Sequence, residues 1–227
     1  MGEEKYIDRA VLIISGGSIN VDWLMEWMKE HEVIYCIAAD KGLETAHGMG
    51  IKVDYILGDY DSVDNDVLVE YRGNTEVVTY PPEKDYTDTH IAVKKGIEAI
   101  KSMNAIDDIC LYVAGATGTR IDHTMTNIYV LNEALEAGIT AYIIDEYNKV
   151  YIKDESFKIA KEKQYGKYVS FIPMTERVEL SLDGMKYTLS QYILTQGKSI
   201  CQSNEIVDDE AIITINGGKI VVVESHD

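Results

Sequence analysis

The order of apolar and polar positions divides the chain in two. Up to about residue 148, short apolar runs alternate with longer stretches in which apolar residues recur at helical spacing. The runs at 10–14, 33–38, 55–57, 76–79, 109–114 and 140–144 predict strands. The stretches at 21–30, 41–49, 64–71, 88–101 and 123–137 predict helices. Strand and helix in alternation is the pattern of a doubly wound α/β fold, a mostly parallel sheet with helices on both faces. Beyond residue 148 the long helical patterns stop. Strand-like runs at 168–172, 178–181, 211–215 and 219–223 follow, with Asp183-Gly184 and Asn216-Gly217-Gly218 as turn signals between hairpin-like arms. The expected organisation is an α/β domain over residues 1–148 and an all-β sandwich domain over 149–227.

Composition narrows the class. With 227 residues, 46% of them apolar, the chain can bury a substantial core. A net charge of -18, from 39 acidic and 21 basic residues, argues against nucleic acid and anionic membrane as partners, because both demand a basic footprint. A small phosphate ligand is still compatible, since a divalent cation and a few local cations neutralise it. Cys36, Cys110 and Cys201 form no C-x-x-C pair, no apolar stretch approaches the roughly 18 residues of a membrane span, and the opening lacks the order of a signal peptide. A cytoplasmic protein is expected.

Open α/β sheets bind ligands beyond the carboxyl ends of their strands, so the loops after each predicted strand are where chemistry belongs. Asp59 and Asp61 stand two apart in an extended segment, which points both carboxylates the same way and suits Mg2+; one of them would equally cap the next helix. Asp85 and Asp88 share a face if the helix has begun by Asp85, an arrangement also common in purely structural first turns. Lys84 beside them supplies the mixed charge that holds a metal-bound phosphate. Residues 115–118, between an apolar strand and a helix, offer backbone N–H groups and a helix dipole to an anion. Arg120 either bridges phosphate oxygens or pairs with Asp122, and His123 either touches substrate or packs.

Together these segments resemble the thiamine pyrophosphokinase family, whose motifs run G-D-F-D-S, E-K-D-x-T-D and G-A-T-G-G-R-x-D-H. Here they stand in that order at residues 58–62, 83–88 and 115–123. An A-D-x-G turn lies upstream at 39–42, and an S-x-x-x-S-N-E segment downstream at 199–205. The resemblance implies an ATP-binding α/β domain, a C-terminal β-sandwich, and a homodimer with thiamine sites shared between chains. It further implies a Mg2+-dependent attack of the thiamine hydroxyl on ATP that yields thiamine diphosphate and AMP. Asp59, Asp61 and Asp88 would hold the metal, and Asp61, Asp85, Asp88 and Arg120 would form the catalytic set. Asp88 would also orient or deprotonate the thiamine hydroxyl. Asp40, Lys84, Gly115, Thr117, Gly118, Arg120, Asp122 and His123 would surround ATP, with Asp122 fixing Arg120. Ser199, Ser203 and Asn204 would hold thiamine.

Tyr60 and Thr119 depart from the motif's Phe and Gly. Both tryptophans, Trp23 and Trp27, fall in the first predicted helix, which leaves Tyr187 or Tyr192 as the aromatic candidates for stacking on thiamine. Two rivals use the same residues: another Mg2+-dependent phosphotransferase or phosphohydrolase, and a nucleotide or thiamine sensor without turnover.

Overall fold

The computed structural model describes residues 8–58, 65–71, 75–79, 85–104 and 106–227. These form two compact units, Met1–Glu146 and Tyr147–Asp227.

In the first unit the strands are β1 (Asp8–Ile14), β2 (His31–Ala39), β3 (Tyr55–Gly58), β4 (Glu76–Thr79), β5 (Ile109–Ala114) and β6 (Ala141–Ile144). They pair in parallel in the order β4-β3-β2-β1-β5-β6. The connecting helices are α1 (Val21–Glu30), α2 (Gly42–Gly48), α3 (Asn65–Tyr71), α4 (Asp88–Ser102) and α5 (Ile121–Glu136). A sheet covered on both faces needs strands that are apolar on both, and residues 10–14 of β1 are all fully buried. Leu12 and Ile14 join a core with Leu24 and Trp27 of α1 and Leu43 of α2. Ile13 points to the opposite face, beneath α4, where Gly96 approaches both Ile13 and Leu111. At the end of α1, Trp27 stacks on His31 at 3.9 Å and meets Tyr112 edge-on at 4.8 Å.

The helix starts set the site. Thr87 Oγ1 accepts from His90 N at 3.3 Å, so Thr87 is the N-cap and α4 begins at Asp88. Asp85 therefore lies outside the helix, and the condition for it to share a face with Asp88 is not met. Helix α5 begins at Ile121, two residues before its apolar periodicity becomes visible.

The second unit is antiparallel. Its strands are β7 (Asn148–Lys153), β8 (Phe157–Ala160), β9 (Tyr168–Pro173), β10 (Arg177–Asp183), β11 (Leu189–Thr195), β12 (Glu210–Ile215) and β13 (Ile220–Ser225), with a 3-10 turn at Lys161–Lys163. β13 pairs with β7 and β9, and the other strands are ordered β11-β10-β12-β8. Residues 216–218 were expected to close a hairpin. They carry the chain from one sheet to the other instead, because β12 and β13 bury their apolar residues against different partners. Three strands fall outside the predicted runs: β7 at the expected domain boundary, β8, which is four residues long, and β11, which contains Gln191 at φ 47° beside a register shift. Across β7 and β13, buried Glu224 accepts from Lys149 at 2.9 Å and from Tyr165 N at 2.7 Å.

Candidate active site at the sheet switch point

After β1 the sheet grows to one side through β2, β3 and β4, and then to the other through β5 and β6. The two connections leaving β1 and β5 diverge and open a crevice at the carboxyl ends of the strands. A cleft of about 510 Å³ lies there, lined by Ser15, Gly16 and Gly17 after β1, Asp40 and Lys41 after β2, and Thr89 at the start of α4. Residues 115–120 after β5, with His123, Thr124 and Asn127 on α5, complete it.

The β1 and β5 loops grip each other through their backbones. Ser15 N donates to Ala114 O at 2.9 Å, Gly17 N to Gly115 O at 2.8 Å, and Ser18 N to Thr117 O at 2.9 Å. A Cβ on Gly17 would lie 2.2 Å from Thr117 O and 2.3 Å from Gly115 O, so only glycine permits this approach. Between those anchors, Ala116 O accepts from Asn127 Nδ2 at 2.8 Å. Three successive carbonyls thus face the protein. In a trans peptide the N–H opposes the C=O, so the amides of Ala116, Thr117 and Gly118 face the other way. None of the three finds an acceptor among the described residues. A row of free amides where two long helices, α4 and α5, also begin is an anion cradle on an otherwise acidic protein.

Side chains fix the surroundings. Ser15 Oγ lies 2.6 Å from Thr89 Oγ1 and ties the first turn of α4, with Asp88, to the end of β1. Thr117 Oγ1 donates to Asp145 Oδ2 at 2.9 Å. Asp40 adopts a left-handed φ of 50°; its N–H donates to Leu57 O at 3.0 Å, and its carboxylate crowds the Cβ position of Gly58 at 2.5 Å. Such a backbone in a non-glycine residue costs about 1–3 kcal/mol and concentrates at functional sites. Arg120 grips Asp122 with two bonds, Nη2–Oδ2 at 2.5 Å and Nε–Oδ1 at 3.2 Å, and the guanidinium hydrogen bond holds the Asp122 carboxyl below its usual range.

The structure brings Asp40, Gly115, Thr117, Gly118, Arg120 and His123 together around one cleft, with Asp88 next to the lining residue Thr89. Asp122 stands behind Arg120. Asp85 is exposed ahead of α4. Asp59, Asp61 and Lys84 lie outside the described residues, and among the described ones no three acidic, histidine or cysteine side chains converge as metal ligands. Asn127 was not anticipated, although its signal was present: it is a polar residue on the stripe shared by Val130, Leu131 and Ala134.

In the second unit, Ser199 and Ser203 are exposed, whereas Asn204 is 1% exposed. Asn204 Oδ1 accepts from Tyr187 N and from Glu205 N, each at 3.0 Å, and Nδ2 donates to Tyr187 O at 2.8 Å. The amide clamps the backbone of Tyr187, a residue that is itself 62% exposed. Tyr192 is half-buried on β11.

Comparison with known proteins adds the following. Residues 27–143 match the family described as thiamin pyrophosphokinase, catalytic domain, and residues 155–220 the one described as thiamin pyrophosphokinase, vitamin B1 binding domain. The chain is 28% identical over 222 residues to the thiamine pyrophosphokinase of Bacillus subtilis, covering 96% of this chain and 100% of that one. The crystal structure of a Bacillus subtilis thiamine pyrophosphokinase superposes with a TM-score of 0.82 at 29% identity, covering 96% of this chain and 99% of that one. One from Geobacillus thermodenitrificans gives 0.80 at 25%, with 96% and 98% covered. The Candida albicans enzyme, at 18% identity and a TM-score of 0.78 over 100% of this chain and 95% of that one, shares the fold.

Proposed function

Because the chain belongs to the thiamin pyrophosphokinase family, we propose that the switch-point cleft binds ATP and that the enzyme transfers its pyrophosphoryl group to the hydroxyl of thiamine, releasing AMP. The observation that carries this reading is the cradle at residues 115–118, where inward carbonyls leave three amides for phosphate oxygens. Phosphoryl transfer asks little covalent chemistry of a protein and much alignment and charge stabilisation. The loop from Gly115 to Gly118, through its Ala116, Thr117 and Gly118 amides, and Arg120 hold the phosphate chain, Asp122 keeps the guanidinium oriented, and His123 lines the same cleft; Lys84 would add positive charge. Asp88, fixed at the start of α4, orients or deprotonates the attacking hydroxyl, with Asp85 in support.

The donor set around Asp40 and Asp88 consists of carboxylate oxygens, which fit Mg2+. Asp59, Asp61 and Asp88 would hold it, with Asp40 alongside. Held there, Mg2+ would supply positive charge against the charge that develops on the phosphates. Ser199 and Ser203 offer exposed hydroxyls to thiamine, Tyr187 offers a ring face, and Asn204 keeps Tyr187 in place. The site is completed by a second copy of the chain in a cytoplasmic homodimer. No helix among the described residues is long and apolar enough to cross a membrane.

The test is to incubate the protein with ATP, Mg2+ and thiamine and follow both products. Equal, metal-dependent amounts of thiamine diphosphate and AMP are expected. ADP or free phosphate in place of AMP would move the reaction to ordinary phosphotransfer or hydrolysis. ATP binding without product would leave a sensor.

A further inference from the structure

Asn127 sits in the second turn of α5 and is 7% exposed, on the stripe that packs Val130, Leu131 and Ala134 into the protein. An amide buried there is costly unless it is bonded. Its Nδ2 donates to Ala116 O at 2.8 Å. The other two inward carbonyls of the loop, those of Gly115 and Thr117, are held by main-chain amides of the β1 loop. Among the described residues, only the middle carbonyl depends on a side chain. That carbonyl belongs to the peptide whose N–H is Thr117's, so fixing one end of the plane aims the other. The plane turns about the Ala116 ψ and Thr117 φ torsions, and the Asn127 bond is the one described hydrogen bond that holds its carbonyl.

We infer that Asn127 is a positioning residue for phosphate binding: it locks the Ala116–Thr117 peptide with the Thr117 N–H facing the cleft. This inference rests on reading the cleft as a nucleotide site. It assigns Asn127 no contact with the reacting atoms; the residue acts through a peptide plane that touches the anion.

Asn127→Asp keeps the shape and replaces the donor with a carboxylate that only accepts, placed against Ala116 O. Asn127→Ser removes the reach without adding charge and serves as the second variant should the first not fold. ATP with Mg2+ is titrated calorimetrically into the full chain without thiamine, so the result does not depend on turnover. Each folded variant is expected to bind ATP about tenfold more weakly, as for loss of one well-aimed hydrogen bond to a charged ligand. The KM for thiamine should stay within about twofold of the parent, because loss of this bond disturbs the nucleotide side alone. A variant that melts earlier yet binds ATP as the parent does would make Asn127 merely structural and overturn the inference, as would a parent protein that binds no ATP. If the parent binds ATP but forms no thiamine diphosphate, the functional reading fails while weakened ATP binding by the variants still supports the role of Asn127.

Discussion

Two irregular segments of this molecule solve opposite problems. The loop at residues 115–118 turns its carbonyls into the protein and leaves its amides outward, with small side chains that stay out of the way. The turn at residues 200–204 pairs the Asn204 backbone with Val169 in both directions, at 3.0 and 2.8 Å, and buries the Asn204 amide. Around it, Cys201 and Ser203 adopt left-handed φ values of 71° and 51°, conformations that cost a non-glycine residue about 1–3 kcal/mol each. Hydrogen bonds offset part of that: Phe171 N donates to Cys201 O at 2.9 Å, and Ser203 N donates to Ser170 Oγ at 3.0 Å. The first segment presents main chain to a ligand; the second fixes main chain in order to present side chains. A main-chain cradle suits a ligand made largely of anionic oxygens and depends little on side-chain identity, so Thr119 can stand where the family motif has glycine. The turn depends on each residue it carries.

That contrast makes unequal predictions. Gly17→Ala should have the largest effect, because its methyl would collide with two carbonyl oxygens that cannot both retreat without opening the cradle. A fall of about 100-fold in kcat/KM for ATP is expected from overpacking of this kind. An alanine variant within about threefold of the parent would mean the two loops need not touch. Asn204→Ala should act on the other segment, and on stability: it strips partners from the part-buried N–H and C=O of Tyr187, at about 1–3 kcal/mol for the pair. Denaturant unfolding checks this. Unchanged stability with a raised KM for thiamine would return Asn204 to the ligand.

The smallest effect concerns pH. The folded pKa of Asp122 is depressed by its hydrogen bond to Arg120, so the pair is complete above the ordinary carboxylate range and is lost only as pH falls through the lowered value. Both side chains are exposed, so stability should hardly change over that interval. An NMR titration of the Asp122 carboxyl should place its midpoint below that of an unpaired aspartate. A midpoint in the ordinary range would show that Arg120 is free to turn elsewhere.

The parallel half was legible because buried strands such as β1 write their burial as unbroken apolar runs and their helices as clean periodicity. The antiparallel half was less so. β8 has four residues, β11 is bulged, and partner choice at residues 216–218 is decided by which sheet buries each strand, which no local pattern encodes. In the site, the motifs named the loops but not the hydrogen bonds that aim them. The N-cap role of Thr87 moved the start of α4 past Asp85. Asn204 reads in sequence as a polar motif residue, and nothing local shows that it is buried with its amide on the backbone of Tyr187. Asn127 is the reverse: its place on an apolar stripe was visible, and only the position of Ala116 O explains it.

Both tryptophans of the chain belong to α1, and one of them stacks on His31 at 3.9 Å. Indole emission is therefore an optical signal of the parallel unit alone, while the antiparallel unit reports only through its tyrosines. Tyrosines stand in both units, so indole emission is the signal that follows the melting of the parallel unit by itself, without adding a label.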